Sequence, residues 1–98
     1  MKKPVTVHAE IKRNWRGDKY ALFYTDDFNI AELDYTNDER DKVRIYPNFH
    51  DDYFEYDSLK TALSVVEAIT ILFLAEKGYS VEEFDYPEEL NEIKNQAI

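Results

Sequence analysis

The sequence predicts an α+β fold: an antiparallel meander of three to four strands packed on a long central helix (58–78), with a short C-terminal helix (87–96). Three observations carry that prediction. The run Ser58 to Gly78, SLKTALSVVEAITILFLAEKG, is the only long apolar stretch, and its apolar residues recur at helical spacing. The residues ahead of it alternate apolar and polar in short runs separated by turn residues, the pattern of half-buried strands. Strands first and helices later is an α+β order, not that of alternating βαβ units. At 98 residues the chain is expected to form a single domain, 1–98.

Residues 5–13 alternate strictly, with Val5, Val7, Ala9 and Ile11 on one side and Thr6, His8, Glu10 and Lys12 on the other. Residues 14–18, NWRGD, read as a hairpin loop. The return strand, 19–26, is rich in β-formers. Its two sides offer Tyr20, Leu22, Tyr24 and Ala21, Phe23, Thr25, so the pattern does not choose which one faces inward. Residues 28–35 suit a third strand, although Ala-Glu-Leu also tolerates helix. Residues 36–41 form a polar turn, and a fourth strand over 42–47 stops at Pro47. Residues 48–57 mix aromatics with acids and fit either a loop or a short edge strand.

In the helix, Ala62, Val65, Val66, Ile69, Leu72 and Phe73 fall on one broad face at about 100° per residue. Lys60, Ser64 and Glu67 fall opposite, and Ile71 and Leu74 sit on that second side. A helix apolar nearly all round is covered on both sides or forms an interface. The C-terminal segment is the first candidate cover, and a second copy of the chain is the other. Asp57 or Ser58 suits the N-cap, and Gly78 suits the left-handed residue that closes the last turn. A membrane span needs about 20 mostly apolar residues, and Glu67 and Thr70 interrupt a shorter run. Residues 79–86 read as irregular or a single turn. Pro87 at a first helical position opens the last helix, with Leu90 and Ile93 as its apolar contacts.

Charge is the most informative feature of the composition. The formal net charge is −9, unevenly spread. Residues 1–20 set six Lys/Arg against Glu10 and Asp18, whereas residues 21–57 set eleven acids against Arg40, Lys42 and Arg44. Residues 58–79 are neutral, and residues 80–98 set six acids against Lys94. This acidity opposes direct nucleic-acid binding, which draws on basic groups neutralising phosphates, and docking on anionic lipid. With two glycines in the chain, Gly17 and Gly78, neither a Walker A loop nor a dinucleotide fingerprint can be written, so no cofactor is expected. The absence of cysteine excludes disulfides, a thiolate nucleophile and a cysteine zinc site. It suits a reducing cytoplasm, and MKKPVTVHAE lacks the apolar block of a signal peptide, so the expected location is cytoplasmic.

Catalysis is not expected. Ser58, Ser64 and Ser80 lie in a cap, a helix and a loop without an elbow motif. His8 on a strand face has neither partner nor cleft to act as a base. His50, Asp51, Asp52, Glu55 and Asp57 carry metal-ligand chemistry, but their spacing matches no calcium loop, and a solvated acidic loop is expected with no metal. Trp15, at the hairpin tip between Arg13 and Arg16, either folds back beneath arginine stems or anchors a contact; stacking on a nucleic-acid base is a third reading.

The acids between Asp26 and Asp57 are interleaved with Phe28, Tyr35, Tyr46, Phe49, Tyr53, Phe54 and Tyr56. Carboxylates held a few ångströms apart on a scaffold imitate duplex phosphates, and tyrosines among them supply stackable faces. A basic nucleic-acid-binding protein meets complementary potential there. Asp51, Asp52, Glu55 and Asp57 are the expected partner-binding carboxylates, with Tyr53 and Tyr56 packing between them. Asp38, Glu39, Asp41, Glu82, Glu83 and Asp85 form the expected flank, and Trp15 a second contact. In size, charge and lack of cysteine the chain resembles the phage-encoded DNA-mimic inhibitors of host defence, such as anti-restriction and anti-CRISPR proteins. That resemblance implies an inhibitor acting on a protein partner, and no family residue is carried over. The competing expectation is a homo-oligomeric structural or regulatory domain, a homodimer joined through Ile71 and Leu74.

Overall fold

The computed structural model describes residues 2–35 and 42–95. It is α+β, with a larger sheet than the sequence pattern predicts. Strands β1 (Lys3–Arg13), β2 (Lys19–Tyr24), β3 (Asn29–Asp34) and β4 (Val43–Pro47) form the expected antiparallel meander. Two more strands extend it among the described residues. The short β5 (Phe54–Tyr56) pairs antiparallel with β4, and β6 (Tyr79–Asp85) pairs parallel with β1, giving the order β5-β4-β3-β2-β1-β6. The segment expected to be irregular, 79–86, is therefore mostly an edge strand. A register shift between Val5 and Thr6, opposite Glu82, breaks its alternation, and a bulge of that kind hides a strand from a period-two reading.

Helix α1 (Leu59–Glu76) has 18 residues and is shorter than the predicted 58–78. It is the crossover that carries the chain from β5 at one edge to β6 at the other. Eighteen helical residues rise roughly 27 Å, and five strand spacings come to roughly 24 Å, so one straight helix suffices. Ser58 is its N-cap, accepting from the Thr61 N–H at 3.0 Å, and Gly78 follows its end with φ +89°. Helix α2 (Glu88–Lys94) has seven residues, and Pro87 is its N-cap, not its first helical residue.

Both helices lie on the same face of the sheet. That face is built from Val7, Ala9, Ala21, Phe23, Leu33, Val43 and Ile45, which join Ala62, Leu63, Val66, Leu74 and Leu90 in one core. The inward side of β2 is thus Ala21, Phe23 and Thr25, and Tyr20, Leu22 and Tyr24 turn outward. Each fully buried large apolar side chain contributes on the order of 2 kcal/mol. Thr25 closes the β2–β3 turn, its Oγ1 accepting from the Phe28 N–H at 3.1 Å.

The buried sector of α1 is rotated from the predicted one. Ala62, Leu63, Val66, Thr70 and Leu74 are buried, while Leu72, assigned to the core face, is 68% exposed and Ile71 46%. The C-terminal segment causes the rotation. Tyr86 donates to Glu67 at 2.6 Å, Lys94 pairs with the same carboxylate at 2.8 Å, and the buried Leu90 joins the same core. The flank bearing Leu63, Glu67 and Leu74 is covered as a result. Leu74 is therefore buried within the chain, while Ile71, the other residue of the expected homodimer contact, is exposed. Burial and the bond to Glu67 push the Tyr86 hydroxyl well above its usual pKa.

Truncating Leu74 to Ala is expected to cost about 3 kcal/mol, whereas Leu72→Ala changes stability by no more than about 0.5 kcal/mol. Urea unfolding of the two variants beside the parent protein measures both, and an equal cost at the two positions would contradict the rotated face.

Candidate functional site

The face of the sheet opposite the helices carries no described element across it. Strand alternation assigns its residues. From β1 come Thr6, His8, Glu10 and Lys12; from β2, Tyr20, Leu22 and Tyr24; from β3, Glu32 and Asp34; and from β4, Arg44 and Tyr46. Glu55 stands opposite Arg44 at one edge, and Glu83 and Asp85 stand opposite Thr6 and His8 at the other. Tyr53 folds against Tyr46, ring centroids 5.5 Å apart.

Two clusters are already paired on this face. Arg44 donates to Glu55 at 2.8 Å and to the Tyr46 hydroxyl at 3.3 Å, and its guanidinium lies 4.2 Å from the Tyr53 ring centroid. The bonds to Tyr46 and Glu55 raise its pKa further above the ordinary arginine value. At the other edge His8 Nδ1 is 3.2 Å from Asp85, its ring 5.5 Å from that of Tyr24, and the Tyr24 hydroxyl donates to Glu10 at 3.3 Å.

Glu32 is different. It lies between Leu22 and Tyr46 in the register and lines a cleft of about 370 Å³ together with Leu22, Tyr46, Asn29, Asn48 and His50. Among the described residues its carboxylate has no hydrogen-bond or ion-pair partner. Burial, and secondarily the charge of Asp34, raise its pKa above the ordinary carboxylate value.

The residues singled out from the sequence are not gathered in one place. Asp51 and Asp52 are exposed in the β4–β5 connection, where the Asp52 N–H donates to His50 Nδ1 at 3.1 Å. Tyr53 and Glu55 belong to the open face. Tyr56 turns the other way, opposite Val43 on the core side, and therefore does not pack between Glu55 and Asp57. Asp57 is paired with Lys42. Glu82, Glu83 and Asp85 lie on β6, at the edge farthest from β5 and roughly 24 Å away across five strand spacings, so the two acidic segments form no single patch. Glu82 is exposed beside the register shift. Asp38, Glu39 and Asp41 lie outside the described residues.

Trp15 is 90% exposed at the tip of the β1–β2 hairpin, at the end of the strands opposite the Glu32 cleft. It does not fold back on the sheet. The loop beneath it is tied down: Asn14 Oδ1 accepts from the Arg16 and Asp18 N–H groups at 2.9 and 3.0 Å, and Gly17 takes φ +88°. The Arg16 guanidinium is 5.3 Å from the indole centroid.

Among the described residues no three His, Cys, Asp or Glu side chains are grouped to hold a metal ion, and no helix is long and apolar enough to cross a membrane. Glu32 escaped sequence reasoning because 28–35 was ambiguous between strand and helix. The alternation Ala31, Leu33 against Glu32, Asp34 was the available signal. No protein-family model, curated protein or solved structure matches the chain.

The raised pKa of Glu32 sets a sign for its effect on stability. The folded state holds that proton more tightly than the unfolded chain, so the cost of ionisation enters as pH rises through the ordinary carboxylate value and is complete above the raised one. Glu32→Gln is therefore expected to raise Tm by about 1–3 °C near neutral pH and to have no effect in acid, where both states are protonated. Thermal melts across that pH range test it; a loss of stability at neutral pH would contradict the sign.

Proposed function

We propose that the protein is a small acidic inhibitor that occupies a basic, nucleic-acid-handling surface on a protein partner, in the manner of phage-encoded anti-restriction and anti-CRISPR proteins, and that it does so through the open face of its sheet. One observation carries this reading. Six carboxylates, those of Glu10, Glu32, Asp34, Glu55, Glu83 and Asp85, share an uncovered face with Tyr20, Tyr24, Tyr46 and Tyr53, against the cations Lys12 and Arg44.

The physics follows from the scaffold. Residues two apart on a strand stand about 6.6 Å apart, and neighbouring strands about 4.8 Å, so the carboxylates are fixed in a two-dimensional array before any partner arrives. Preorganisation spares the ordering cost that flexible acidic tails incur on binding. Long-range attraction between this array and a basic groove speeds encounter. The tyrosines add broad, rigid faces on which arginine side chains stack. Asp51 and Asp52, exposed in the β4–β5 connection, add negative charge beyond the strand ends.

Capture from bacterial lysate at graded salt, followed by competition with duplex DNA, tests the reading. The bound species is expected to be a nucleic-acid-binding protein, released by rising salt and by duplex. Replacing Glu10, Glu83 and Asp85 by their amides is expected to weaken that binding by about tenfold or more with an unchanged circular dichroism spectrum. Retention that is indifferent to duplex, or to the three amides, would exclude charge imitation.

A further inference from the structure

We propose that the cleft around Glu32 is a receptor for a single arginine side chain of the partner. The inference rests on the proposed reading of the open face and adds the residue type recognised and the place where it docks.

Three observations converge on it. The first is the cleft itself: about 370 Å³, open to the uncovered face, with Leu22 and Tyr46 on either side of Glu32 and Asn29, Asn48 and His50 at its mouth. The second is the condition of the carboxylate. It is partly desolvated, near Asp34, and without a hydrogen-bond or ion-pair partner among the described residues. A carboxylate in that condition is open to a cationic group brought by a partner.

The third is that the same face already seats one arginine. Arg44 lies against the Tyr53 ring, donates to Glu55 and also reaches the Tyr46 hydroxyl. One row along the strands Glu32 stands beside Tyr46, whose hydroxyl is held by Arg44, and among the described residues no cation is bonded to the Glu32 carboxylate. A guanidinium fits these groups better than an ammonium. It is planar, stacks on an aromatic face and donates two parallel bonds to a carboxylate, whereas a lysine acts as a hydrated point charge. Leu22 and the amides of Asn29 and Asn48 add no charge to the lining. The charged or titratable groups facing Glu32 from its neighbours are Asp34 on its own strand, Tyr20 and Tyr24 from β2, Arg44 and Tyr46 from β4, and His50 at the rim.

A short oligoarginine peptide and an oligolysine of equal length, titrated into the labelled protein and followed by NMR, supply the test. Oligoarginine is expected to bind more tightly than oligolysine and to shift the amide signals of Leu22, Glu32, Tyr46 and Asn48. Glu32→Gln is expected to weaken oligoarginine binding about tenfold, while Glu10→Gln and Glu83→Gln each cost far less. Equal affinity for the two peptides, or a Glu32→Gln effect no larger than that of the other two amides, would overturn the inference. If the shifts then centre on Glu10, Glu83 and Asp85, the broader reading of an acidic face stands without the arginine receptor. If neither peptide binds at low salt, both readings fall together.

Discussion

Phe23, Leu33, Ile45 and Val7 turn one way out of four neighbouring strands, and α1 lies over them on its path from one edge of the sheet to the other. Because the side-chain period of a strand is two, burying these residues fixes what every intervening residue must do. Their neighbours Glu10, Tyr20, Leu22, Tyr24, Glu32, Asp34, Arg44 and Tyr46 are all turned to the opposite face. The 18 residues of α1 also join β5 to β6, the two edges of the sheet. The uncovered face is thus a by-product of the packing on the covered one.

Much of this was legible in the sequence, for definite reasons. The alternation of residues 5–13 is clean because its outward residues are polar and its inward ones are not. Ser58 and Gly78 mark the ends of α1 through their capping chemistry, and the positive φ of Gly78 agrees with its place after the helix. What failed did so where one chemistry serves two environments. Tyrosine is apolar enough for a core and polar enough for a surface, so 19–26 showed no preferred side. The second half of α1 is apolar nearly all round, and the C-terminal segment, through Leu90, Tyr86 and Lys94, covers the flank of Leu74 and leaves Leu72 exposed.

The acidic surface was legible as composition and illegible as geometry. The acidic stretches 48–57 and 82–85 lie toward opposite edges of the sheet, while Glu89 reaches back to Lys19 of β2. Several of their carboxylates are paired with nearby cations: Glu55 with Arg44, Asp57 with Lys42, Glu89 with Lys19. The Lys19 bond, helped by the Tyr35 hydroxyl, holds the Glu89 pKa below the ordinary carboxylate value, as befits a group that pins α2 to the sheet. Residues that do share a face, such as Glu10, Glu32 and Asp85, are far apart in sequence, and strand register alone brings them together.

The account stands on the uncovered sheet face as the contact surface. Cross-saturation NMR on the complex with the captured basic protein tests that most directly, because it reads which amides lie against the partner irrespective of affinity. The account predicts attenuation along the outward positions of β1 to β4, centred near Leu22, Glu32 and Tyr46. Attenuation confined to α1 and α2, or to the Trp15 hairpin tip, would contradict it.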